Sequence, residues 1–114
     1  YSRDSLCYTG THDNCPLSQW LEEATPERVA FAKQYMGLNG EEGPIWGMIR
    51  SGMSSVSDLF VAQMQDYLEL GAESRMNFPG TLSNKNWTWR AQSDMITSAL
   101  AHRIREITRI FDRL

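Results

Sequence analysis

Hydrophobic and polar positions alternate in blocks along the chain, and the blocks predict its elements. Leu6-Cys7-Tyr8-Thr9 is apolar, aromatic and β-branched, which predicts a buried strand. The chain then turns abruptly polar at Thr11-His12-Asp13-Asn14, with Gly10 at the change, where it permits a bend or a close backbone approach. Pro16 to Ala24 predicts a short helix with Leu17, Trp20 and Leu21 on one face, Trp20 being read as a core-facing anchor. Thr25-Pro26-Glu27 is a helix start, with a capping hydroxyl, a proline where no N–H is needed and an acid near the positive dipole end. That helix runs to Met36 and stops at Gly37.

Residues 37–43 are a glycine-rich loop, and Pro44 opens a helix with a broad apolar face of Ile45, Trp46, Met48, Ile49 and Met53. Ser51 to Asp58 reads as a small, polar break, and Leu59 to Met64 as a second buried strand. Strand, helices, strand is a βαβ-type crossover. On this reading Gln65 and Asp66 end the second strand as His12 and Asp13 end the first, two polar pairs at equivalent strand ends. Leu68 to Gly71 predicts a helical turn and Ala72 to Gly80 a fixed loop. From Ser93 onward one amphipathic helix is predicted, with Ile96, Leu100, Ile104, Ile107, Phe111 and Leu114 at spacings of three and four. Its arginines, Arg103, Arg105, Arg109 and Arg113, interleave with acids and read as a solvated outer face.

Composition narrows the class. The 114 residues allow one domain at most, and 41% hydrophobic content is ordinary for a folded protein. A net charge of -3 argues against a nucleic-acid binder. No apolar run approaches the ~20 residues that span a bilayer, and no secretory core is visible. Tyr1 in place of an initiator methionine predicts a processed product or a segment of something larger. Cys7 and Cys15 do not make a disulfide framework, and free thiols in a reducing cytoplasm are expected. His12 and His102 lack neighbours at metal-ligand spacing.

The His-Asp pair carries the candidate chemistry. Buried strands in parallel-sheet enzymes present such pairs to substrate at their carboxyl ends. His-Asp-Asn before a proline suits a turn and helix cap equally well. Asn77 has two readings as well, a cap of its own loop or an amide offered to a ligand. Trp87 and Trp89 also have two readings, stacking on a ligand ring or, as the preferred one, packing of their loop against the surrounding fold.

Three ordered motifs carry a resemblance. They are Tyr8-Thr9-Gly10-Thr11-His12-Asp13-Asn14, then Gln65-Asp66-Tyr67-Leu68-Glu69-Leu70-Gly71 leading into Arg75-Met76-Asn77-Phe78-Pro79-Gly80-Thr81, and last Asn86-Trp87-Thr88-Trp89-Arg90. Together they resemble the C-terminal part of the 4-alpha-glucanotransferases, also called amylomaltases or disproportionating enzymes. The resemblance covers Leu6 to Arg90, and Trp20 also matches the family pattern.

The resemblance implies an α/β parent, a (β/α)8 TIM barrel, with residues 1–114 as one segment holding strands seven and eight and the helices after them. It implies retaining transfer of α-1,4-glucan between maltooligosaccharides through a covalent glycosyl-enzyme, with glucose or maltooligosaccharides as acceptors and no metal or organic cofactor. The nucleophile and acid/base of the family lie on earlier strands. Asp13 matches the family's auxiliary, transition-state-stabilising aspartate, and His12 and Asn77 are implied substrate contacts. As an isolated slice the chain is expected to be inactive, mostly α-helical with at most two short strands, and to self-associate or require the rest of the barrel. The other reading of the same motifs is a non-catalytic helical interaction module that retains them.

Overall fold

A computed structural model describes residues 2–114; Tyr1 lies outside them. Strand β1 (Leu6–Tyr8) pairs in parallel with β2 (Leu59–Val61), in the register Leu6↔Leu59, Cys7↔Phe60 and Tyr8↔Val61. Parallel neighbours need a long crossover. Here it holds three helices, α1 (Leu17–Glu23), α2 (Pro26–Met36) and α3 (Pro44–Met53). The chain continues into α4 (Met64–Tyr67), two 3-10 turns at Ala72–Ser74 and Ser93–Met95, and α5 (Ser98–Ile110). Mostly helical with two short strands is therefore the architecture of the segment, as expected.

The strands are not buried as their composition predicts. Leu6, Tyr8, Leu59 and Val61 are all about half exposed, while Cys7 and Phe60 are partly covered. A strand points successive side chains to opposite faces. Helices cover the face that carries Phe60, and among the described residues nothing covers the other. The second strand also stops at Val61 rather than Met64, because Gln63 caps a new helix.

Helix α3 is the centre of the core. Ile45, Trp46, Ile49 and Met53 form the buried cluster. Leu17 and Leu21 of α1, Phe60 of β2, Tyr67 of α4, and Leu100, Ile104, Ile107 and Phe111 from the C-terminal region close around it. Trp20 is partly buried against α2, in a cleft with Phe31 and Tyr35, and stands outside that cluster. Ser51 and Gly52, read as part of a polar break, stay helical. A Cβ on Gly52 would overlap the Phe60 ring, so only the smallest residue lets α3 lie this close to β2.

The predicted start and stop of α2 are both present. Thr25 accepts a hydrogen bond from the Arg28 N–H, Pro26 opens the helix, and Gly37 ends it at φ 64°. The last helix begins later than its periodicity suggests. Thr97 is its N-cap, accepting from the Leu100 N–H at 3.1 Å, and Ser93–Met95 is a separate turn. Ile96 and Leu114, at the two ends of the predicted stripe, are consequently exposed.

Two of the four arginines on this last stretch are structural rather than solvated. The Arg103 guanidinium lies 3.8 Å from the Trp46 ring centroid, a cation–π contact over the core. Arg113 donates to the carbonyls of Met53 (2.8 Å), Ser57 (2.9 Å) and Ser55 (3.0 Å), which ties the C-terminus to the end of α3 and the loop before β2. Arg109 pairs with Glu106 on the surface, as a solvated face would have it.

Candidate functional site

The polar turn after β1 divides its residues between building and display. Asn14 Oδ1 accepts from the Thr11 N–H at 2.7 Å and from the Thr11 hydroxyl at 3.0 Å, and the Asn14 N–H donates to the Thr11 carbonyl at 2.9 Å. These bonds close the turn, as Asn and Thr side chains commonly do. His12 and Asp13 at its crest are left about half exposed. The turn part of the turn-and-cap reading holds for Thr11 and Asn14. The helix cap is supplied from elsewhere. Asp66 Oδ1 accepts from the Leu17 N–H, the first of α1, at 2.8 Å.

The loop after α4 comes back over this turn. Asn77 Nδ2 donates to Asp13 Oδ1 at 2.7 Å, and Arg75 Nη2 donates to the Asp13 carbonyl at 2.8 Å. His12 Nε2 is 3.4 Å from the same Oδ1. One carboxylate oxygen of Asp13 is therefore held between an imidazole and an amide. Among the described residues no hydrogen bond reaches the other, Oδ2.

The structure brings His12, Asp13 and Asn77 together, and it adds Trp87. The indole of Trp87 lies 4.9 Å from the His12 ring centroid, tilted by 43°. It is 56% exposed, so a large apolar face borders the polar group. Its backbone sits at φ 63°, a region bulky residues rarely adopt. The Trp87 N–H is bonded to the Met76 carbonyl, which anchors it there. Asn86 braces the loop from inside, accepting from the Phe78 N–H at 3.2 Å and donating to Thr81 Oγ1 at 3.0 Å. Strained conformations of this kind concentrate at ligand clamps, where the surroundings over-determine them.

The second polar pair falls away as a site. Gln65 and Asp66 lie within α4, not at a strand end, and both are buried. Gln65 Nε2 donates to the Ser74 carbonyl at 3.1 Å. Asp66 is 1% exposed and also accepts from the Thr9 hydroxyl at 2.7 Å. Burial pushes its carboxyl above the ordinary aspartate value of 3.8, against the opposing pull of the Leu17 and Thr9 hydrogen bonds. Its work is to hold the end of β1, the start of α1 and α4 together.

Arg75 and Trp87 are the participants that residue types alone did not bring forward. Arg75 sat inside a loop read as fixed, which is correct, but its partner is 62 positions away. Trp87 meets His12 from a left-handed backbone, which no sequence pattern announces.

A half-exposed carboxylate and imidazole and a partly buried amide thus lie beside an exposed aromatic face, on loops that follow two parallel strands of an α/β unit. The chain belongs to the 4-alpha-glucanotransferase family, whose model matches residues 1–97. It is 43% identical over 114 residues to a 4-alpha-glucanotransferase of Clostridium butyricum, covering 99% of this chain and 23% of that protein. It is 39% identical to the 4-alpha-glucanotransferase of Thermus thermophilus, over 96% of this chain and 23% of that protein. Among solved structures it resembles an amylomaltase from Streptococcus agalactiae in complex with acarbose, with a TM-score of 0.94 and 35% identity. That match covers 99% of this chain and 23% of the other. The chain thus spans roughly a quarter of the length of these relatives.

Proposed function

We propose that residues 1–114 are the C-terminal segment, strands seven and eight with their following helices, of a (β/α)8 barrel that transfers α-1,4-glucan between maltooligosaccharides with retention. Family membership and the amylomaltase likeness support the activity. The parallel βαβ unit with its polar loops at the strand ends is in keeping with the barrel. The nucleophile and the acid/base belong to polypeptide beyond these residues, and acceptors are glucose or maltooligosaccharides. The two free thiols, Cys7 and Cys15, accord with a cytoplasmic setting.

Asp13 is the auxiliary carboxylate of this site. The observation that carries the assignment is its fixed Oδ1, gripped by Asn77 at 2.7 Å, on a half-exposed side chain whose Oδ2 has no hydrogen bond among the described residues. Two sugar hydroxyls can donate to Oδ2, and such bonds strengthen as oxocarbenium charge develops on the ring. His12 contributes a ring N–H to a hydroxyl of the same sugar, and Asn77 adds a further contact. Acarbose, bound by the related amylomaltase, is accordingly expected to occupy this group of residues.

The test is maltotriose disproportionation by the full chain that carries this segment. Asp13→Asn keeps the shape and removes the charge. Turnover should fall by about two to three orders of magnitude, the scale of several kcal/mol of transition-state stabilisation. Unchanged turnover overturns the role of Asp13.

A further inference from the structure

Arg75 faces no carboxylate among the described residues. Its guanidinium instead bridges two backbone carbonyls, that of Asp13 from Nη2 at 2.8 Å and that of Asn77 from Nε at 2.9 Å. Its Cζ lies 4.6 Å from the centroid of the Phe78 ring, which steadies the group's plane. Those two carbonyls belong to the residues whose side chains meet 2.7 Å apart at Asp13 Oδ1. Asp13 lies in a turn and Asn77 in an irregular loop, so no helix or sheet ladder fixes their separation. A planar fork with several rigid donors can do so, and a lysine ammonium cannot reproduce it.

We infer that Arg75 is a positioning residue for glucan transfer. It acts through Asp13 and Asn77, setting the carboxylate and the amide at a fixed spacing before the sugar arrives. The inference rests on the role assigned to Asp13 above. Its physical basis is preorganisation: a misplacement of about 1 Å in a group that acts on the transition state costs far more rate than affinity.

A double-mutant cycle on the full chain separates positioning from general stability. In the wild-type background, Arg75→Lys lowers kcat for maltotriose disproportionation roughly tenfold and leaves KM within about twofold, because the loss falls on the transition state. In an Asp13→Ala background the main group to be positioned is gone, and the same change lowers kcat less than about threefold. Equal losses in the two backgrounds overturn the inference while leaving Asp13 in its role. Full activity of Asp13→Ala by itself overturns the role of Asp13 and the inference with it. Should Arg75→Lys not fold, Arg75→Gln enters the same cycle. Failure of both to fold makes Arg75 a structural residue and also overturns the inference.

Discussion

Asp66 is 1% exposed, whereas the side chain of Asp13 stands half in water. The same residue type has two different tasks here, and the surroundings decide which. A buried carboxylate is costly unless hydrogen-bonded, and Asp66 accepts from the Leu17 N–H and the Thr9 hydroxyl. Removing it leaves the first N–H of α1 and a part-buried hydroxyl without that acceptor. Asp66→Ala should therefore lower stability by about 2 kcal/mol in urea unfolding. Burial raises its folded pKa above 3.8. Its favourable contribution is then fully present below the unfolded value and is lost as pH rises through the folded value. Stability of the wild type should fall with pH over that interval relative to Asp66→Asn, which cannot titrate. Parallel stability profiles for the two would contradict this. Read from residue types, Asp66 looked like a partner of His12 and Asp13. A four-residue helix is too short to leave a periodic signature, so nothing in the sequence signalled that Asp66 points inward.

At the scale of elements, local chemistry was legible and distant partners were not. Thr25-Pro26-Glu27 and Gly37 bound α2 because capping depends on residues within one turn. Pro44 opens α3 for the same reason. The periodicity places the start of α5 too early because Ser93 and Thr97 are both capping residue types, and the hydroxyl that accepts a helix N–H is that of Thr97. Arg103 and Arg113 resembled an outer face since their partners, Trp46 and the carbonyls near Met53, lie more than fifty residues upstream. The site shows the same division. His12 and Asp13 were visible as a polar turn after an apolar run. Asn77 became a candidate through a resemblance to known enzymes, and its bond to Asp13 spans 64 positions. Trp87 needed a backbone at φ 63° to reach His12, which no propensity predicts.

The whole molecule carries the mark of an unfinished sheet. Parallel sheets are normally covered on both faces, and here two strands have one face bare. Leu6, Tyr8, Leu59 and Val61 stand exposed on it, and the outer edges of both strands lack partners among the described residues. The βαβ order was readable from the chain, but two strands do not define a barrel. Produced alone, the 114 residues should self-associate, giving species larger than a monomer in sedimentation velocity. A single, well-behaved monomeric boundary would contradict the reading of that face as one made to be covered.

The claim on which the rest depends is that Asp13 meets a glucose unit. A crystal structure of the full chain with a bound maltooligosaccharide measures this directly. Asp13 Oδ2 is predicted within about 3 Å of a sugar hydroxyl, with Asn77 still bonded to Oδ1. A sugar bound elsewhere in the protein, with the Asp13 carboxylate more than about 6 Å from every hydroxyl, lies beyond hydrogen-bond reach and contradicts it.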